Sequence, residues 1–261
     1  MQKVDPKKRL GQHFLKDKGI CEKIANLYGS EDIAPKIVEI GPGMGALTEY
    51  LLKRPELDTW CMEVDDESVR YLDIHFPQLK GKVIFGDFLR EDLSKIIEGK
   101  KIGIIGNFPY NISSQILFKC LEFRNNIPEI VGMFQKEVAE RVAEKPGSKQ
   151  YGILSVLLQA FYDVEYCFTV DEHVFNPPPK VKSAVIRCVR NSRESLGCDE
   201  KLFIQVVKTA FNQRRKTLRN AIKSIIQDSS LPFLDLRAER LSVEDFIELT
   251  AKISMSLANK N

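Results

Sequence analysis

Four residues that close four apolar runs are of types that bind or react: Gly41, Glu63, Asp87 and Asn107. The ends of neighbouring strands are where open α/β sheets gather their ligands. "GPGMG" (41–45) joins "KIVEI" to the helical "ALTEYLLKR", and Gly41 and Gly43 let backbone N–H groups come close to a ligand. Glu63 stands 22 residues past Gly41, where an acid takes the ribose hydroxyls of a nucleoside-bearing cofactor. Asp65 and Asp66 compete for that role, and one of them fits the cap of the next helix. The spacing is G-x-G-x-G rather than G-x-G-x-x-G, which points away from a nicotinamide enzyme. Asp87, closing "KVIFGD", has the chemistry to bind an adenine amino group.

The fourth run ends in "IIGNFPYNISS" (104–114). Pro109 fixes its own φ and keeps Phe108 extended, so the turn after Asn107 is stiff. Ser113 and Ser114 are placed to cap the helix that follows. Taken alone, these residues fit either a reactive loop or a strand-to-helix connection whose aromatics fill the core.

The elements that must position these residues follow from periodicity. Strands at 36–40, 58–64, 82–87, 101–106 and 129–134 alternate with helical stretches, and Ile20, Ile24, Leu27 and Tyr28 mark a first helix. That alternation predicts a mostly parallel sheet covered on both faces. Residues 162–170 and 184–189 read as strands with no clear helix between them, an antiparallel pair closing the sheet. The polar stretch 190–200 marks a boundary between residues 1–190 and a small helical domain, 191–261. In the latter, Phe203, Val206, Val207, Ala210 and Phe211 fall on one helical face, as do Leu218, Ala221, Ile222, Ile225 and Ile226.

Composition sets the outer limits. With 261 residues, 43% hydrophobic and 29% charged, the chain is an ordinary globular protein. No apolar run is long enough for a membrane span, and the basic N-terminus has no apolar segment behind it, so cytoplasmic residence is expected. The six cysteines (21, 61, 120, 167, 188, 198) form no C-x-x-C pair and read mostly as buried thiols. Three histidines without ligand spacing argue against a metal site. The net charge is only +3, yet 201–223 carries seven basic residues and no acid. Arg215, Arg219 and Lys223, spaced by four, are expected on one helix face, flanked by Arg214 and Lys216, as a surface for a polyanion.

The blocks "KKRLGQHFL", "EIGPGMGALT", "MEVD", "GNFPYNISS", "FQKEVAERV", "HVFNPPPKVKSAV" and "FNQRRKTLRNAI", in this order across nearly the whole chain, closely resemble the small-subunit ribosomal RNA adenine dimethyltransferases. The resemblance implies a class I S-adenosylmethionine-dependent methyltransferase fold, a Rossmann-like sheet, with a small all-α C-terminal domain that helps engage ribosomal RNA. It also implies dimethylation of adenosine N6 on the small ribosomal subunit during its assembly, by a protein expected to be monomeric. Position by position, it puts Gly41 in the cofactor loop, Glu63 on the ribose and Asp87 on the cofactor adenine. Asn107 touches both the methionine part and the target base, and "GQHFL" contributes His13 and Leu15 to the cofactor site. His13 stands where the family often has asparagine, and Phe108 where it usually has leucine. A backbone carbonyl near Pro109 is expected to join Asn107 in holding the target amine, with Tyr110 and Phe175 as its stacking faces. Two other readings remain: a large-subunit adenine methyltransferase of the antibiotic-resistance type, and a non-catalytic assembly or transcription factor on the same fold.

Overall fold

The computed structural model describes residues 4–7, 10–226 and 228–258. The chain divides into two compact units, one of residues 1–139 and 164–190, the other of 140–163 and 191–261. A division falls at 190/191, as the polar stretch indicates, but 140–163 belongs with the helical unit. The sequence shows no change of composition at 139, because α6 (Lys136–Ala143) runs straight through that point.

The first unit is built on a seven-stranded sheet in which six strands carry or flank the site. In spatial order they are β4 (Val83–Phe85), β3 (Asp58–Glu63), β2 (Lys36–Ile40), β5 (Gly103–Asn107), β6 (Glu129–Gln135) and β9 (Ser183–Arg190), with β7 (Tyr162–Val170) at the far edge. Neighbours from β4 to β6 run parallel, β6 pairs antiparallel with β9, and β7 lies beside β9, as expected of the closing strands' adjacency. The parallel strands are apolar on both faces: Ile37, Val38, Ile104, Ile105, Ile130 and Val131 are all buried. The order reverses between β2 and β5, the switch point at which a crevice opens beyond the strand ends. A separate two-stranded ribbon pairs β1 (Phe14–Leu15) with β8 (Phe175–Asn176).

In the second unit, α7 (Ile153–Gln159), α8 (Glu200–Asn212) and α10 (Val243–Ala258) surround a core that includes Phe203, Val206, Val207, Ala210 and Phe246. Phe211 lies between Tyr151 and Phe246, its ring centroid about 6 Å from each. The second expected helix does not form as drawn: α9 is a single turn (Leu218–Ala221), and 213–216 is turn and bend. The cause is visible in the sequence. Residues 212–217 (NQRRKT) hold no apolar side chain, so almost two helical turns would gain nothing from packing. The chain instead bends at Thr217, which bridges to Arg237, while the Leu218 and Arg219 N–H groups donate to the carbonyls of Leu236 and Leu234. No helix among the described residues is long and apolar enough to cross a membrane. The six cysteines are free, four of them buried.

Candidate active site

One cavity, lined at the strand ends, contains His13, Gly41, Gly43, Glu63, Asp87, Asn107, Pro109 and Tyr110. Its floor is the glycine turn. Gly41, Gly43 and Gly45 all have positive φ, at 67°, 56° and 79°. At Gly43 a side chain is excluded twice over, because a Cβ there would lie 2.7 Å from the Phe14 ring. The helix after the turn, α2, is only Thr48–Leu51, so the ligand-facing N–H groups come from the turn itself.

Glu63 ends β3 almost fully buried, at 3% exposure. Burial pushes its carboxyl pKa up, and three backbone N–H groups, from Asp65, Gly43 and Val64, pull the other way. Those donors lie at 2.9–3.0 Å and hold the carboxylate in one orientation. The competitors resolve in its favour. Asp65 is turned away and accepts from Lys7 and from Ser68 Oγ, while Asp66 pairs with Arg70. For Asp65, burial raises the pKa, but the hydrogen bonds from Lys7 and Ser68 outweigh it and the net shift is downward. A carboxylate has about four lone-pair sites, so beyond its three backbone donors Glu63 has capacity for a hydroxyl donor from the cavity. Asp87 is anchored by the Leu89 N–H at 3.0 Å.

Beneath the turn lies an acid that sequence reasoning passed over. Glu39 on β2 is 2% exposed and accepts a 2.6 Å hydrogen bond from Thr48 Oγ1. Burial drives its pKa up to about 8, the Thr48 hydroxyl opposes this, and the negative charge of Glu63 adds to it.

Asn107 is the last residue of β5, held in register opposite Met133 of β6. Its Nδ2 donates to the main-chain carbonyl of His13 at 2.9 Å. Only the amide's NH₂ can meet a carbonyl, so this contact fixes which end of the side chain is which. The Tyr110 hydroxyl is hydrogen-bonded to Ser183 Oγ, and burial raises its pKa. The Phe108 ring is fully buried edge-on to Phe134, over Gly106 and Gly132, where any Cβ would strike it. The larger ring is accommodated because both neighbours are glycine. The helix α5 (Ser113–Glu122) takes no side-chain cap from a serine: Ser113 Oγ donates back to the Tyr110 carbonyl.

Two expected residues do not reach the cavity. Leu15 and Phe175, paired across the β1–β8 ribbon, both bury their side chains in the core beside Ile24, Val170 and Val185. Phe175 is 1% exposed and offers no open stacking face in this structure. Adjacent strand residues point to opposite sides, so the ribbon that buries Leu15 turns Phe14 into the cavity. Phe14 was missed, though that alternation within "HFL" was the available signal. The five basic residues of 214–223 also differ from expectation, since they do not share a helix face. Arg214 donates to the Ser148 carbonyl at 3.0 Å and lies 3.6 Å from Glu239. Arg219 pairs with Asp235 at 3.0 Å. Arg215, Lys216 and Lys223 are exposed side chains.

A glycine turn, a buried acid beyond the second strand and an amide before a rigid proline fit a nucleoside-bearing cofactor beside a planar acceptor. Comparison with known proteins agrees. The profile described as Ribosomal RNA adenine dimethylase matches residues 4–255. Over 260 residues the chain is 60% identical to Ribosomal RNA small subunit methyltransferase A of Cytophaga hutchinsonii, covering 97% of this chain and 99% of the relative. Among solved structures, a dimethyladenosine transferase from Plasmodium falciparum matches with a TM-score of 0.77 at 25% identity, covering 94% of this chain and 98% of that one. The 23S rRNA methyltransferase ErmE shares the fold, with a TM-score of 0.69 at 22% identity over 92% of this chain and 99% of that one. The chain belongs to the ribosomal RNA adenine dimethylase family, S-adenosylmethionine-dependent methyltransferases of the class I fold.

Proposed function

We propose that this chain transfers methyl groups from S-adenosylmethionine to the N6 amino groups of adenosines in small-subunit ribosomal RNA, giving N6,N6-dimethyladenosine. It acts as a monomer on the immature small subunit, in the cytoplasm where that particle is assembled. The observation that carries the reading is the tethered amide of Asn107, whose Nδ2 is committed to the His13 carbonyl so that Oδ1 is left for the cavity.

The residues at hand fit the cofactor. The turn at Gly41 and Gly43 admits it closely, Glu63 takes its ribose hydroxyls, and Asp87 takes its adenine amino group. Bound there, the cofactor supplies an electrophilic methyl group. The acceptor is a weak nucleophile, because the lone pair of an adenine amino nitrogen is delocalised into the ring. Asn107 Oδ1 accepts one of its N–H bonds. A backbone carbonyl near Pro109 accepts the other; the Pro109 carbonyl already receives the Ile112 N–H at 3.1 Å and keeps a second lone pair. Held by both, the nitrogen presents its lone pair along one direction, and the rate comes from positioning and fixed dipoles. No strong base is needed, since the cationic product amine gives its proton to water. The Tyr110 ring, pinned through its hydroxyl, offers a face on which the base stacks, a contact worth about 1–3 kcal/mol. Bases in single-stranded loops reach such a pocket at low cost.

For RNA docking, Arg215, Lys216 and Lys223 are the groups with charge to offer, whereas Arg214 and Arg219 spend theirs on internal partners. The large-subunit alternative has the shared fold in its favour, but the 60% identical relative is named for the small subunit.

The test is incubation of the protein with radiolabelled S-adenosylmethionine and unmethylated small ribosomal subunits, followed by mapping of the labelled base. Label should appear on adenosine N6 in small-subunit RNA, and Asn107→Ala should lower single-turnover transfer roughly a hundredfold. Label confined to large-subunit RNA, or near wild-type transfer by the folded variant, would sink the reading.

A further inference from the structure

The ring that covers Tyr110 is that of His13. Their centroids are 5.4 Å apart and their planes inclined by 28°, a stacked pair. Both residues line the cavity together with Asn107, so the stacked pair stands at the site. The imidazole is held there by a single hydrogen bond, Nδ1 to the Pro177 carbonyl at 2.8 Å. Its backbone has a different job, the carbonyl that receives the Asn107 amide, and that contact does not need the ring.

A base cannot slide between the two rings as they stand. Stacked bases are separated by about 3.4 Å, so a three-ring stack needs roughly twice that between the outer planes. The space between His13 and Tyr110 is smaller. Either the target base does without this face of Tyr110, or the imidazole must leave it.

We propose that the His13 imidazole is a stand-in for the target base, occupying its stacking place on Tyr110 until RNA displaces it. It is a positioning residue that sets how readily a base enters. This rests on the reading of Tyr110 as the base's stacking face. A flat heteroaromatic ring on the Tyr110 face keeps that pocket from collapsing or taking up a stray apolar group. It also imposes a threshold: apparent affinity for the base is reduced by the fraction of enzyme in which the ring has swung away. A base that also satisfies Asn107 can cross that threshold, whereas one that only stacks gains little over the imidazole already there.

The test is steady-state kinetics with unmethylated small subunits on His13→Ala and His13→Asn, with cofactor affinity measured by calorimetry. Asparagine keeps a donor for the Pro177 carbonyl but no ring, so the two variants together isolate the ring. Both should lower KM for the subunits, by roughly three- to tenfold, with the cofactor dissociation constant changing far less. In a Tyr110→Ala background the gain from His13→Ala should vanish, because the face being contested is gone. A KM that is unchanged or raised, or a loss of cofactor affinity that tracks the loss of rate, overturns the proposal. Near-normal activity of Tyr110→Ala alone defeats the stacking reading itself, so the two failures are distinguishable.

Discussion

At the scale of single residues, the acids of the site are separated by their surroundings. Glu39 is buried with one hydroxyl donor and has a pKa of about 8, so it is largely protonated at neutral pH. Its unfolded value is near 4.5. The folded protein therefore binds the extra proton between those values, and the stability it contributes is complete below 4.5 and lost as pH rises through about 8. Glu39→Gln, which keeps an acceptor for Thr48, should flatten that decline, and at pH 9 it should be more stable than wild type by on the order of 3 kcal/mol. Thermal melts from pH 5 to 9 read this directly, and parallel curves for the two proteins would refute it. Glu39 was not legible as special, because an acid inside "KIVEI" gives no sign of which face it will occupy. Glu63 and Asn107 were legible, since both close a strand and strand ends are where such sheets bind. Phe175 was misjudged for the opposite reason: an aromatic beside prolines looks the same in sequence whether it faces a ligand or the core.

At the scale of elements, the glycine turn and the basic segment that follows α8 show what local pattern can and cannot specify. The turn is dictated by its residues, and Gly43→Ala tests that. An alanine there would have to adopt φ near 56° and push its Cβ against Phe14. Loss of roughly 1–3 kcal/mol is expected in chemical denaturation, together with weaker cofactor binding in calorimetry. A variant with unchanged stability and affinity would show that the turn tolerates a side chain. The parallel strands were readable to within two residues, because short apolar runs bounded by polar or turn residues have few other uses. The 212–217 segment was not, because spacing by four predicts a shared face only where a helix has reason to form. Its charges are sorted by tertiary partners, Ser148, Glu239 and Asp235, that no local window contains.

At the scale of the whole molecule, that sorting makes the two kinds of arginine separable by experiment. Replacing Arg215, Lys216 and Lys223 by alanine should weaken binding to immature small subunits and reduce the salt slope by about 0.7–0.9 log units per lost phosphate contact. Cofactor affinity should hold, since these residues lie outside the cavity. Arg214→Ala with Arg219→Ala should instead lower the melting temperature with a smaller change in slope, because each loses internal partners. Binding measured across a salt series decides it: identical slopes for the triple variant and wild type would remove this segment from RNA recognition.

The β1–β8 ribbon bears on the order in which the enzyme can be made. His13 and Pro177, in contact across it, lie 164 residues apart, and the Lys16 N–H finds its acceptor only at Val174. Synthesis is vectorial, so residues 10–16 leave the ribosome early and wait, unpaired, until about two-thirds of the chain has followed. The sheet strands from β2 to β6 have by then been translated and have short-range partners to fold with. The wall of the cavity that bears His13 and Phe14 thus gains its β8 partner through a long-range pairing. A nascent chain released before residue 174 would have the glycine turn, the Asn107 strand and the Asn107–His13 hydrogen bond, but not the β8 pairing that completes that wall. That wall is in this way complete only once about two-thirds of the chain has been made.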